Sequence, residues 1–232
     1  MYNLTLNRVA RKVKLLFADQ KGASVNAFDL KARNGGERQA STNLSGISPD
    51  HVSRYHFASK HVEAGHAVLD MACGVGYGSY IIAKKSKASH TVGVDISSDA
   101  IEYANKFYGV DRASFILGDC LTVDLPIKQF DIGISFETIE HIHVAKELLE
   151  RFYSVLKPNA KLIVSTPNQN VLPYAPERYP YHVRHYTPEE ITKLLDESGF
   201  KFEKAFCQKS KHAPEILPGW DGAFNIIIAR KK

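Results

Sequence analysis

The stretch VLDMACGVGYGS, residues 68–79, decides the fold. An apolar strand ends in Asp70 and runs straight into Gly74, Gly76 and Gly78. Glycines at that junction let the backbone turn tightly and let a ligand approach it closely. A second strand, HTVGVDI, ends in Asp95, 25 residues after Asp70, where a carboxylate can accept both ribose hydroxyls of a nucleoside cofactor. The glycines run G-x-G-x-G, so the dinucleotide fingerprint G-x-G-x-x-G is not met, and no Gly-Lys-Ser/Thr follows to make a Walker loop. Outward from this point strands alternate with helices. The strands are HAVLDMA, HTVGVDI, ASFILGD, FDIGISFE, AKLIVSTPN, FKFEKAFCQ and AFNIIIARK. The helices are YIIAKKS, SSDAIEYANKFY, VAKELLERFYSVL and TPEEITKLLDESG, the last opening on a capping box of Thr187 and Glu190. The pattern predicts an α/β fold, a doubly wound, seven-stranded, mostly parallel sheet covered on both faces. The last two strands, with no helical pattern between them, are expected to form an antiparallel pair at one edge.

The 232 residues carry a formal charge of +5, unevenly placed. Residues 1–40 hold eight Lys/Arg against three Asp/Glu, while the remainder holds 22 of each. The body is therefore neutral, which argues against nucleic acid binding by the whole domain. Leu6, Val9, Val13, Leu16 and Phe17 recur at helical spacing with Arg8, Arg11, Lys12 and Lys14 between them, so a basic amphipathic helix is expected there. Gly-, Ser- and Asn-rich sequence follows, and Ser48-Pro49 then starts another helix well. This divides the chain into a basic arm or helical cap, 1–47, and a domain, 48–232. No apolar run is long enough to span a bilayer, and the N-terminus lacks a secretory h-region. Cys73, Cys120 and Cys207 have no CxxC spacing, so a reducing cytoplasm is the expected setting.

After the fourth strand comes FETIEHIH, residues 136–143. Glu137, Glu140 and His141 stand at i, i+3 and i+4, and share a face if the segment is helical. Strand ends here face the crevice in which open α/β sheets bind ligands. Acidic residues also favour a helix N-terminus, but a histidine there is less expected. Three readings stay open: a metal site, a metal-free acid–base pair of His141 with Glu137 or Glu140, and a structural polar cluster.

VLDMACGVGYGS resembles motif I of the class I S-adenosylmethionine-dependent methyltransferases, which have a Rossmann-like fold. GVDIS and LGDC resemble their second and third motifs. The resemblance implies a cofactor, S-adenosylmethionine, with Gly74 and Gly76 lining its methionine part, Asp95 on the ribose and Asp119 on the adenine amino group. Ile96 and Cys120 would flank the adenine. Asp70 would orient the loop or the cofactor ammonium, and Ala72, Cys73, Tyr55 and Phe136 would also border the cofactor. SFETIEH stands where nucleobase amino-methylating enzymes carry Asn/Asp-Pro-Pro-aromatic, which favours oxygen or a non-planar amine as acceptor. The E-x-x-E-H spacing is similar to that of ubiquinone-biosynthesis O-methyltransferases and of small-RNA ribose 2′-O-methyltransferases. That likeness implies Mg²⁺ or Mn²⁺ on Glu137, Glu140, His141 and His182. Over nearly the whole chain the sequence looks like bacterial methyltransferases encoded with polysaccharide and lipopolysaccharide enzymes. This implies O-methylation of a sugar or other hydroxylated small-molecule acceptor, with an RNA ribose or a small amine as alternatives. In that likeness Arg54 and Tyr55 lie on a helix over the cofactor, and His185 stands where Glu is frequent.

Overall fold

The computed structural model describes residues 38–232. Its elements are α1 (Pro49–Ser59), β1 (Ala67–Met71), α2 (Tyr77–Lys85), β2 (His90–Asp95), α3 (Ser98–Phe107), β3 (Ala113–Leu117) and β4 (Phe130–Phe136). After β4 come α4 (Ala145–Val155), β5 (Leu156–Pro167), α5 (Pro188–Glu197), β6 (Phe200–Gln208), β7 (Leu217–Pro218) and β8 (Phe224–Lys231). The strands form one sheet in the order β3-β2-β1-β4-β5-β8-β6-β7. Strands β1 to β5 are mutually parallel, and β8 lies antiparallel between β5 and β6. The sheet thus has eight strands rather than seven. The extra strand is two residues long and contains Pro218, a residue tolerated at a sheet edge because it has no N–H to donate. The helix expected over residues 6–17 lies outside the described residues.

Strand periodicity sorts the core into two layers. In β8, Ile226 and Ile228 enter one cluster while Ile227 and Ala229 enter the other. Helices α1 to α3 cover the first layer, burying Tyr55 and Ala58, Ile81 and Ile82, and Ala100, Ile101 and Ala104. Helices α4 and α5 cover the second through Leu148, Leu149, Phe152 and Val155, and Ile191 and Leu195. Each of these larger side chains contributes about 1.5–3 kcal/mol on burial. Caps fix the helix starts. Ser97 accepts from Ala100 N, and Thr187 and Glu190 exchange both bonds of the expected capping box.

The strand order turns back between β1 and β4, which opens a crevice above their carboxyl ends. Residues 38–47, which the division at residue 47 assigns to the arm, pack on the domain. Ala40 and Ile47 are buried in the first core layer, and the Tyr108 hydroxyl donates to Ser41 O at 2.6 Å.

Candidate functional site

The glycine loop takes left-handed backbone at Ala72 (φ 60°), Gly74 (φ 56°) and Gly76 (φ 85°). A Cβ at Gly76 would meet the Phe115 ring at 2.6 Å and Ala104 at 2.7 Å, so glycine lets the loop close onto β3 and α3. A Cβ at Gly74 would meet nothing within 4 Å, so the space over this backbone is open. Cys73 N donates to Val94 O at 2.9 Å, pinning the loop to β2. Asp95 joins the two strand ends: Oδ2 accepts Gly74 N at 2.8 Å and Oδ1 accepts Ser97 N at 2.9 Å. Gly118 N donates to Asp95 O at 3.0 Å, which joins the segment leading to Asp119 and Cys120 to the end of β2. Ile96 is 70% exposed, an apolar surface at a strand end. Burial pushes the Cys120 thiol up to about 11, with the Asp119 charge adding to it. These residues fit a nucleoside cofactor: open space over Gly74, an apolar plate at Ile96, and acceptor capacity left on Asp95. A contact not foreseen from sequence lies there too, since Arg38 Nη2 stands 3.3 Å from Asp95 Oδ1.

Asp70 and Tyr55 lie beneath this surface, not on it. Asp70 is fully buried and accepts from Tyr55 Oη at 3.1 Å and Ser79 Oγ at 2.7 Å. Both carboxylate oxygens are used inside the protein, so Asp70 ties α1 and α2 to the loop. Burial pushes it up to about 7 against the lowering effect of those two hydroxyls. Tyr55 packs edge-on to Tyr77 and Phe136, at 5.6 and 4.9 Å between ring centroids.

FETIEH does not form an α-helical turn. Glu137 leaves β4 with φ 49°, and Ile139–His141 is a single 3₁₀ turn. The expected shared face is lost for that reason, and Glu137 turns toward α1 and β5. Its Oε1 accepts Ser165 Oγ at 2.7 Å and pairs with Arg54 Nη1 at 3.1 Å. Arg54 is fully buried and also binds Gln208 Oε1 at 2.7 Å and Asp50 Oδ2 at 3.0 Å. It therefore fixes the carboxylate of Glu137, rather than simply packing over the cofactor loop.

Glu140, His141 and His182 do converge. One ligand atom from each lies within 4.8 Å of the others, and Glu137 stands outside this group. Glu140 is fully buried; Oε2 accepts Thr166 Oγ1 at 3.1 Å and Oε1 has no hydrogen-bond partner. Burial, and then the charge of Glu137, hold its carboxyl well above the usual range. The histidine tautomers follow from their partners. His141 Nδ1 is 2.9 Å from Tyr181 O, a pure acceptor, so it carries the proton and Nε2 keeps the lone pair. His185 Nδ1 donates to Leu172 O at 2.6 Å, so His185 Nε2 accepts from His182 Nδ1 at 2.7 Å, and His182 Nε2 likewise keeps its lone pair. Burial, then the His141 and His185 charges, push His182 down to about 3. Burial, then Arg54, does the same to His51 beside Asp50. Both shifts favour the neutral imidazole. In a histidine-selective NMR titration with chelator present, His51 and His182 are expected to show no transition between pH 8 and 4. A midpoint near 6.5 for His182 would contradict the lowering assigned to burial and its two histidine neighbours.

His185 sits in the sequence only as a departure from a family pattern, yet it is 2% exposed and orients His182. Its spacing from His182, H-x-x-H, was the available signal. Ser165 and Thr166, at the end of β5, carry no motif at all and touch Glu137 and Glu140.

A glycine loop clamped to β2 by Asp95, beside a crevice holding two imidazoles and a carboxylate, defines an α/β domain of the class that serves a nucleoside cofactor. The methyltransferase-domain family model matches residues 62–218, and the chain belongs to that family, as a class I S-adenosylmethionine-dependent domain. It is 31% identical over 147 residues to a probable S-adenosylmethionine-dependent methyltransferase of Mycolicibacterium smegmatis, covering 62% of this chain and 55% of that protein. It is 32% identical over 150 residues to phosphoethanolamine N-methyltransferase 1 of Arabidopsis thaliana, covering 60% of this chain and 30% of that one. The chain thus spans about half or less of the length of these curated relatives. A structure of a Haloferax volcanii methyltransferase complex with the Trm112 activator shares the fold. Its TM-score is 0.69 and its identity 17%, over 90% of this chain and 99% of that one. No helix among the described residues is long and apolar enough to cross a membrane.

Proposed function

We propose that the domain transfers a methyl group from S-adenosylmethionine to a hydroxyl of a sugar or related polyhydroxyl small molecule, in surface polysaccharide assembly. The observation that carries this reading is the 2.9 Å contact of His141 Nδ1 with Tyr181 O, since a proton on Nδ1 leaves Nε2 with a lone pair for the acceptor. When bound, the cofactor supplies a sulfonium-activated methyl group. The chain's part is to align the acceptor oxygen with that methyl and to take its proton. His141 Nε2 is the acceptor of the proton, and the T-shaped contact with His182, 4.6 Å between centroids, holds the ring in place. Gly74, Asp95, Ile96, Asp119 and Cys120 hold the cofactor in this reading. If His141 is a ligand instead of the base, Glu140 Oε1 and the two imidazoles form a donor set that would hold a divalent cation, Mn²⁺ more readily than Mg²⁺, and such an ion would polarise the acceptor hydroxyl. Glu137 is not one of these ligands.

A small amine is the second reading, favoured by the likeness to a phosphoethanolamine N-methyltransferase. An RNA ribose is disfavoured by the neutral body, with 22 Lys/Arg and 22 Asp/Glu after residue 40. The three cysteines are free thiols, in keeping with a cytoplasmic setting. An acceptor screen with sugar nucleotides, glycan fragments, phosphoethanolamine and short RNAs tests the reading. An O-methylated sugar by mass spectrometry supports it, and methylation of phosphoethanolamine alone rejects it.

Asp95 gives a separate test of the cofactor assignment. Asp95→Ala removes a charged acceptor whose hydrogen bonds are worth about 1.5–3 kcal/mol each, so cofactor affinity by calorimetry is expected to fall at least about tenfold. Arg38→Ala is expected to move it the other way, because Arg38 engages the same Oδ1. Unchanged affinity in Asp95→Ala would remove Asp95 from the ribose site.

A further inference from the structure

A cleft of about 780 Å³ lies beside the crevice, between one face of α5 and the segment 219–222. Its volume is in the range of small-molecule sites. Trp220 and Phe202 border it as an aromatic stack, with ring centroids 5.8 Å apart and planes inclined by 22°. Three carboxylates also line it, Glu189, Asp196 and Asp221. Asp196 is paired with Lys232 at 2.6 Å, and the lining ammonium, Lys193, stands 3.8 Å from Glu197, so Glu189 and Asp221 leave the cleft with an excess of negative charge. Ionised carboxylates accept hydrogen bonds and do not donate them. The excess of negative charge disfavours phosphate and other anions, and the aromatic wall suits a flat apolar face. A ligand with many hydroxyl donors, no negative charge and an apolar ring face meets both conditions.

The cleft is tied to the reacting groups through Asn168, which is 1% exposed. Its Nδ2 donates to Trp220 O at 2.8 Å and to Gly222 O at 3.1 Å, and so braces the aromatic wall against the end of β5. Thr166, two residues earlier, donates to Glu140. On the other side, Asn168 bridges to Tyr186, the neighbour of His185. We infer that this cleft binds a neutral glycosyl residue of the acceptor, stacked on Trp220, while the residue to be methylated lies at His141. The inference rests on the O-methylation reading above and names the chemistry of the acceptor's distal part.

Trp220 is the single tryptophan of the chain, so its emission reports on this cleft alone. The full chain, without cofactor, is titrated with lactose, maltotriose and triacetylchitotriose, and separately with choline chloride and inorganic phosphate. The expected result is a saturable emission change with at least one saccharide and none with phosphate. By calorimetry, Trp220→Ala is expected to weaken that saccharide about tenfold. Glu189→Arg, on the exposed face of α5, is expected to weaken it similarly and keeps the test open if Trp220→Ala fails to fold. Silence of Trp220 toward every saccharide overturns the inference, as does a response to choline alone, which would make the cleft a cation site. Silence with a monosaccharide still methylated rejects the cleft only. Saccharide binding with methylation confined to amines rejects the O-methylation reading only.

Discussion

His141→Ala is expected to lower kcat by about 100- to 10,000-fold, the usual contribution of a positioned acid–base group. Cofactor affinity is expected to stay unchanged, because His141 belongs to the 3₁₀ turn after β4 and the cofactor loop is held by Asp95 and Val94 O. A chelator separates the two ways in which His141 can act. If activity survives excess chelator, His141 acts as the base without a metal. If activity is abolished and then restored by Mn²⁺, the group of Glu140, His141 and His182 acts as a metal site. Glu140→Gln sharpens the distinction. It keeps an acceptor for Thr166 but removes the charge that a cation would need. Full activity in His141→Ala would make the whole cluster structural.

Arg54→Met is expected to destabilise the fold by about 3–5 kcal/mol, because it leaves buried carboxylates without their counter-charge. Asp50 is 1% exposed and loses its partner at 3.0 Å, and Gln208 Oε1 and Glu137 lose theirs. The midpoint of urea unfolding reads this, with the slope unchanged if the denatured state is unaltered. Burial alone would raise the Asp50 carboxyl, but the Ser48 hydroxyl and the Arg54 guanidinium help to outweigh it and hold it below the usual carboxylate range. A depressed carboxylate contributes its stability above the unfolded pKa and loses it as pH falls through the folded value. The gap between wild type and Arg54→Met should therefore narrow below about pH 4. Asp50→Asn in the Arg54→Met background should recover part of the loss. A cost under about 1 kcal/mol would mean that Arg54 is not the hub of this network.

The parallel strands and their helices were legible because each buried segment is long, periodic and bounded by a cap or glycine. The Thr187–Glu190 box and the Asp70-to-Gly76 junction are examples. The β7 strand was not, since two residues carry no period. At the candidate site, the E-x-x-E-H spacing anticipated the meeting of Glu140 and His141 with His182 but not the departure of Glu137 toward Arg54. Spacing arguments assume regular backbone, and Glu137 adopts a left-handed conformation at the point where regularity stops. Arg54, Ser165 and Thr166 decide where the two carboxylates go, and they reach them from elements 26 to 83 residues away in the sequence. Such contacts exist only once the sheet has formed.

The segment around Tyr181 is tied at two points to the turn that carries Glu140 and His141. Val183 N donates to Glu140 O at 2.7 Å, and Tyr181 O accepts a hydrogen bond from His141 Nδ1 at 2.9 Å. If this stretch swings aside to admit a bulky acceptor, His141 loses the carbonyl that keeps its proton on Nδ1. In the proposed reading, seating the acceptor and orienting the base are then coupled events, because the same stretch of chain serves both.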